Sequence, residues 1–458
     1  MVLLEKIFDI INRSGLDYCI QNKYEMMPEE IPSDIDMMYR GAGEKDLDAL
    51  VIRIAQETRL LITQKIVQGY YEYTYILSYP APESRFQLQL DFYRAISRKD
   101  FPNVMPAEDM LENKRFYKCF YVPDYFDELK YMFIRRTIKN DMKQEHLEIA
   151  RNLYQHSPKI YYERLTAVFG AETAALIVES IDRLDTSIFE KNRESFRKSV
   201  KAISDRNCRN GKFRYLYKKF QICEVIPKRI IRKCGMSVAF LAPDGGGKTT
   251  AIRMVEDGCS GSFYGITNLY FRPHLLSNAG AYKPYHKTIE EKTNFDPHGK
   301  EPNGLLKSIA RFFFYNLDFI LGTWFKVDIM KIQKNLVIFD RYYYDYYADM
   351  KRYQYSLSPN FARAFAWSIP KPDLIFVLDA PADILYARKQ ELTLEEIERQ
   401  RRIYRHFSER EPHAVLVDAS RSPEEVARQI TKTILRYKAK QTAKLLHCEV
   451  DEEGYPVQ

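Results

Sequence analysis

Apolar residues recur along the first part of the chain in two rhythms. A period near 3.6 predicts amphipathic helices from Leu3 to Asn12 and from Lys45 to Gln56. Period-two or β-rich stretches predict strands at Tyr18 to Gln21, Ile35 to Tyr39, Ile62 to Val67, Tyr73 to Leu77 and Phe86 to Phe92. This is the pattern of a small α/β domain over residues 1–115. Over residues 116–205 the β signal gives way to helical periods, as in Glu128 to Ile134 and Ala171 to Val178, which predicts a helical domain. Strands and helices alternate again over residues 236–440, the pattern of a doubly wound parallel sheet. Residues 441–458 form a tail without a convincing period, and there is no internal repeat or low-complexity tract.

Composition narrows the picture. With 458 residues the chain exceeds the ~100–200 residues of one ordinary domain, so two or three are expected. Hydrophobic residues make up 45% and charged residues 29%, a globular rather than a disordered balance. No stretch approaches the ~20 consecutive apolar residues that span a bilayer. The start, Val2-Leu3-Leu4-Glu5-Lys6, is amphipathic rather than a signal peptide, and the expected location is cytoplasmic. The seven cysteines never form C-x-x-C, so neither a disulfide framework nor a zinc site is indicated. The formal charge of +8 is modest, but residues 206–235 form a basic linker that includes Arg206, Arg209, Lys212, Arg214, Lys218, Lys219, Lys228, Arg229 and Arg232. A solvated connector is the favoured reading of that run, and contact with nucleic acid or anionic lipid the less favoured one.

The strongest chemical signal follows an apolar run, Ser237 to Leu241. Ala242-Pro243-Asp244-Gly245-Gly246-Gly247-Lys248-Thr249 has the spacing of a phosphate-binding loop, with alanine where the first glycine is usual, and Thr250 to Val255 continues as a helix. Glycines let backbone N–H groups turn toward phosphates, Lys248 supplies a point charge, and Thr249 offers a hydroxyl to Mg²⁺. Ala242 is the departure to watch, because its Cβ restricts the backbone if the turn needs positive φ. Further on, Leu336 to Phe339 is an apolar strand ending in Asp340-Arg341, and the carboxyl ends of parallel strands are where ligands bind. Asp340 is suited to a metal ion or its water, and Arg341 to a phosphate, with a structural salt bridge as the bland alternative. Asp379 ends a similar strand.

The segment Asp244 to Thr250, the triplet Asp340-Arg341-Tyr342 and the later Val417-Asp418-Ala419-Ser420 resemble thymidylate kinases over residues 236–437. The resemblance implies a P-loop kinase fold and an ATP- and Mg²⁺-dependent phosphotransferase acting on a small-molecule phosphate acceptor. It puts Asp418-Ala419-Ser420 near the adenine, a lid cation at Arg388, and acceptor contacts at Arg272, Arg341 and Tyr342. Where such kinases usually carry Arg-Glu-Pro-Gly-Gly, this chain has Tyr270-Phe271-Arg272-Pro273-His274, so the acceptor stays open between a nucleoside monophosphate and another phosphorylated or sugar-containing molecule. The aromatic stripe from Arg311 to Ile320 is read as core, and the run Tyr342 to Tyr347 as a candidate wall of an acceptor pocket. Nucleic acid is not the favoured partner, and a homodimer is left open.

Near the amino end, Asp34 and Asp36 share one face of a strand and Asp91 ends another. Three carboxylates suit paired Mg²⁺ ions in nucleotidyl transfer, and the arrangement resembles the nucleotidyltransferase fold over residues 1–110. The family's Gly-Ser or Gly-Gly turn is replaced by Gln21 to Pro28. Two alternatives to the kinase reading therefore stand: a non-catalytic nucleotide-sensing protein, and a nucleotidyltransferase working through Asp34, Asp36 and Asp91.

Overall fold

The computed structural model describes residues 3–69, 72–79, 87–98, 100–209, 219, 223, 225–227, 230–276 and 302–457. They fall into two compact units. The first takes in residues 1–78, 87–227 and 440–458, and the second residues 79–86 and 228–439. In the basic linker, Lys212, Arg214, Lys218, Lys228 and Arg229 lie outside the described residues, as does Phe86. No helix among the described residues is long and apolar enough to cross a membrane.

The first unit is built on a mixed sheet of order β1-β2-β5-β4-β3, with β1 Asp17–Ile20, β2 Asp34–Arg40, β3 Leu61–Gly69, β4 Glu72–Ser78 and β5 Gln87–Tyr93. Strands β2 and β5 are parallel and the other pairs antiparallel. The helix Leu3–Arg13 buries Leu4, Ile7, Phe8, Ile10 and Ile11, one apolar stripe at helical spacing. Two hairpins, β6 (Ala95–Arg98) with β7 (Phe101–Pro106) and β8 (Arg115–Tyr117) with β9 (Phe120–Val122), carry no readable period, because β6, β8 and β9 are short and β7 contains Pro102 and Pro106. Helices then run from Tyr125–Lys139 to Arg193–Arg209. The first is capped by the Asp124 side chain, which accepts from Phe126 N at 3.3 Å, and stopped by Asn140 at φ 56°. The last packs back on β7, where Ser204 Oγ donates to Pro102 O at 2.6 Å, so Met105, Phe133 and Phe196 share one core.

The second unit is a five-stranded parallel sheet of order β11-β12-β10-β13-β14: β10 Met236–Leu241, β11 Gly265–Tyr270, β12 Asn335–Asp340, β13 Leu374–Asp379 and β14 Ala414–Asp418. Every residue of β10 is buried. Its side chains alternate between two cores, Val238 and Phe240 into one and Ala239 and Leu241 into the other, which is why a central parallel strand reads as an unbroken apolar run. The connections leaving β10 and β13 depart toward opposite edges of the sheet, creating the crevice at which such sheets bind ligands. The final helix, Pro423–Leu446, continues into the stretch where the sequence shows no period.

Candidate functional site

The crevice lies at the carboxyl end of β10. Gly245 (φ 81°) and Gly247 (φ 76°) take the left-handed conformation, and the helix Lys248–Cys259 starts directly after them. A Cβ on Gly245 would stand 2.4 Å from Leu385 O, so only glycine lets the turn meet the helix Ala382–Arg388. Gly246 faces the Ala242 methyl, where a Cβ would come within 2.6 Å. Ala242 itself is fully buried with negative φ, so the departure at this position carries no backbone penalty. Lys248 Nζ donates to Ala242 O at 3.0 Å. Burial, followed in effect by Arg341, brings its ammonium down to about 8. Thr249 and Thr250 are exposed on the first turn.

Beside the loop, β12 ends at Asp340, paired with Phe240 of β10 and Tyr270 of β11. Asp340 Oδ1 is enclosed and accepts no hydrogen bond in this structure. Arg341 turns off the strand at φ 69°, a conformation that costs a non-glycine residue about 1–2 kcal/mol. Its N–H donates to Phe240 O at 3.0 Å. That bend buries the guanidinium between Asp244 Oδ1, at 2.8 Å, and Asp345 Oδ2, at 2.6 Å. Arg352 also reaches Asp244, and Asp349 at 3.1 Å. Tyr404 and Tyr353 both donate to Asp345, the latter at 2.8 Å. Desolvation pushes the Asp244 carboxyl up, but Arg341, Arg352 and Lys248 together hold it well below the usual carboxylate range. Asp345 is held down in the same way, with Arg341 the main cation opposing its burial.

Sequence reasoning missed Asp345, Asp349, Arg352 and Tyr404. The only local signals are the i,i+4 spacing of Arg341 and Asp345 and the i,i+3 spacing of Asp349 and Arg352. Arg388 ends its helix exposed, with Nη1 on Ala419 O at 2.9 Å. Asp418 is exposed, accepts from Ser420 N at 3.0 Å and pairs with Arg421 at 3.2 Å. Asp379 is committed to Arg401 at 2.8 Å.

Two residues expected at the acceptor have partners within the fold. Arg272 is buried, ion-paired with the fully buried Asp318, and its guanidinium lies 4.4 Å from the Tyr315 ring centre. Because Asp318 also accepts from His274 N at 3.0 Å and Leu276 N at 2.6 Å, this arginine serves to fold the segment after β11. Tyr342 is buried with its hydroxyl on Pro370 O at 2.6 Å, and Tyr343 and Tyr346 join the same aromatic core. Tyr342, Tyr343 and Tyr346 thus pack into the core, whereas Tyr344 and Tyr347 also line a cavity in the same unit.

In the first unit Asp36 and Asp91 stand directly opposite on parallel strands, with Asp34 two residues away on the same face. They do not gather around a shared ion. Asp91 accepts from Thr74 and, at 2.7 Å, from Gln89. Asp36 lies 3.7 Å from Arg135, and Asp34 takes Ser33 Oγ at 2.7 Å. No three His, Cys, Asp or Glu side chains among the described residues are arranged to hold a metal, so these residues do not fit the expected amino-terminal Mg²⁺ and no step is assigned through one. Burial, opposed by Thr74 and Gln89 and reinforced by Asp36 and Asp34, lifts Asp91 to about 6. The folded state therefore binds the proton more tightly than the unfolded chain, and this contribution to stability is lost as pH rises from about 4 to about 6. Asp91→Asn should flatten that slope and raise stability at pH 7.5 by about 1–3 kcal/mol, measured by urea unfolding at several pH values. An unchanged slope would rule it out.

Residues 243–430 match the family model for thymidylate kinase. No curated protein matches the chain's sequence. The matched stretch begins in the phosphate loop and ends within the last helix, inside the second unit. This part of the chain is thymidylate-kinase-like, and the similarity supports a phosphotransferase of the nucleoside monophosphate kinase kind in general.

Proposed function

We propose that the second unit transfers a phosphoryl group from ATP, with Mg²⁺, to a small phosphorylated acceptor, a nucleoside monophosphate before a sugar phosphate. The observation that carries this is the strand-loop-helix turn in which Gly245 and Gly247 hold positive φ and Lys248 folds over the loop. Hard oxygen donors and the partnerless, enclosed Asp340 Oδ1 fit Mg²⁺. Thr249 and Asp340 would hold the ion, which when bound neutralises charge on the phosphate oxygens. Lys248 supplies a cation to the β/γ-phosphates, and the loop amides bind the same oxygens. Arg341, with Arg352, presents a pre-organised cationic wall over Asp244, suited to an acceptor phosphate. Arg388, at the Ala419 carbonyl, belongs on this reading to the nucleotide side, next to Asp418 and Ser420.

The acceptor is found by screening nucleoside monophosphates and sugar phosphates for acceptor-dependent ADP release in the presence of Mg²⁺. One class should raise ADP release at least about tenfold over ATP alone, the modest end of what positioned groups contribute. If calorimetry shows ATP binding but no acceptor stimulates release, the chain is a nucleotide-binding protein without turnover.

A further inference from the structure

The second unit holds a cavity of about 750 Å³ that contains no residue of the phosphate loop, Arg341 or Arg352. It runs along the helix Leu394–Arg410, on the stripe Ile403, His406, Phe407 and Arg410, whose i, i+3, i+4, i+7 spacing makes one face. Its far end is marked by Lys371 and Glu411, which pair at 2.8 Å and lie just before β13 and β14. The cavity therefore reaches the amino ends of the strands, opposite the end where the phosphate loop sits.

Two features of its wall point to a ligand. The first is aromatic: Tyr344 and Phe407 pack with ring centres 4.6 Å apart, while Trp367 leaves 84% of its surface exposed. An indole so exposed at the rim of a cavity offers a stacking face. The second is charge. Arg402 and Arg410 are exposed and have no ion-pair partner among the described residues, and Arg363 lies over the Tyr347 ring at 5.1 Å. The only acid in the lining, Glu411, is taken by Lys371. A cavity in the size range of small-molecule sites, with a planar stacking surface and uncommitted arginines, suits a molecule that is aromatic at one end and anionic at the other.

We propose that this cavity is a second site for a nucleoside monophosphate, its base stacked on Trp367 and its phosphate held by Arg402 and Arg410. One exposed indole beside two exposed arginines offers a single stacking step and a single phosphate contact, which favours a free nucleotide over a strand that would stack successive bases. The site also touches the catalytic side of the unit. Tyr344 directly precedes Asp345, and Arg402 shares a helix with Tyr404, which donates to Asp345.

The chain has two tryptophans, Trp324 and Trp367, so Trp324→Phe leaves Trp367 as the sole reporter. In that full-length protein AMP, GMP, CMP, UMP and TMP are titrated while tryptophan fluorescence is followed. At least one should quench saturably, with the matching nucleoside and inorganic phosphate each at least about tenfold weaker, since each lacks one of the two contacts. Arg402→Glu with Arg410→Glu should weaken binding at least about tenfold. The milder pair Arg402→Ala and Arg410→Ala serves if charge reversal disturbs the fold. The quench should persist in Lys248→Ala. Absence of a saturable quench overturns the proposal, as does an unchanged response in the arginine variants. Loss of the quench in Lys248→Ala would trace the signal to the phosphate loop, and saturation by oligonucleotides alone would assign the surface to a strand. Either result overturns the proposal.

Discussion

Replacing Lys248 with alanine is expected to cut ATP turnover by about two to three orders of magnitude, the usual loss when one pre-organised charge is removed from a transferring group. The fold should persist. The side chain is half-buried and its ammonium makes one short bond, to Ala242 O at 3.0 Å, plus a long one to Pro243 O at 3.5 Å. Water can replace both, so the stability change should stay near 1 kcal/mol. Gly245 and Gly247 adopt positive φ at no steric cost, so the turn is expected to survive without the lysine. Turnover and thermal unfolding measured on one preparation separate the two effects. Full turnover in the variant would remove the phosphate loop from the chemistry, whereas loss of both fold and turnover would assign Lys248 a structural role.

Arg341→Ala should act in the opposite proportion, with a large loss of stability joined to a loss of activity. The guanidinium is enclosed between Asp244 and Asp345, both buried. Removing one member of a buried pair leaves an uncompensated charge and costs about 3–5 kcal/mol, a large share of the 5–15 kcal/mol typical of a folded domain. Arg352 still reaches Asp244, so Asp345 is the carboxylate left without its main cation. Alanine keeps a Cβ and so does not relieve the positive φ at this position. Arg341→Lys should recover only part of the loss, because a single ammonium cannot span both carboxylates as the planar fork does. The pH dependence supplies a second check. Asp244 and Asp345 have depressed pKa values, so they contribute stability above about pH 4 that is lost on acidification. Without Arg341 that acid-sensitive contribution shrinks. Urea unfolding at pH 7 and at about pH 2.5, below the ordinary carboxylate value of about 4, measures both quantities, and wild-type stability at both would refute the network's role.

Much of the fold was legible because side-chain period depends only on which face of an element is wet. The helix at Leu3–Arg13 and the strands at Asp34–Arg40 and Gln87–Tyr93 lie within a residue or two of the predicted bounds. The central strand Met236–Leu241 was legible for a related reason, since a strand covered on both faces admits polar side chains only where they are hydrogen-bonded, as Ser237 is to Asp373. The hairpins were invisible because three of their strands have only three or four residues and the six-residue β7 carries Pro102 and Pro106, which interrupt a strand pattern. The partners of Arg272 and Tyr342 were not legible, because a cation or a phenol near a strand end looks the same in sequence whether it faces a ligand or, as here, Asp318 and Pro370 O.

The sequence by itself determined the strand-loop-helix turn, because its glycines, Lys248 and the flanking apolar runs are neighbours along the chain and their conformations follow from local sterics. Only the tertiary structure decided which charges meet. Asp244 and Arg352 are brought together across 108 residues, and Arg401 is drawn to Asp379 rather than to the loop. Those pairings depend on the order in which parallel strands lie side by side, since that order sets which carboxyl ends share a crevice, and burial there selects the partners.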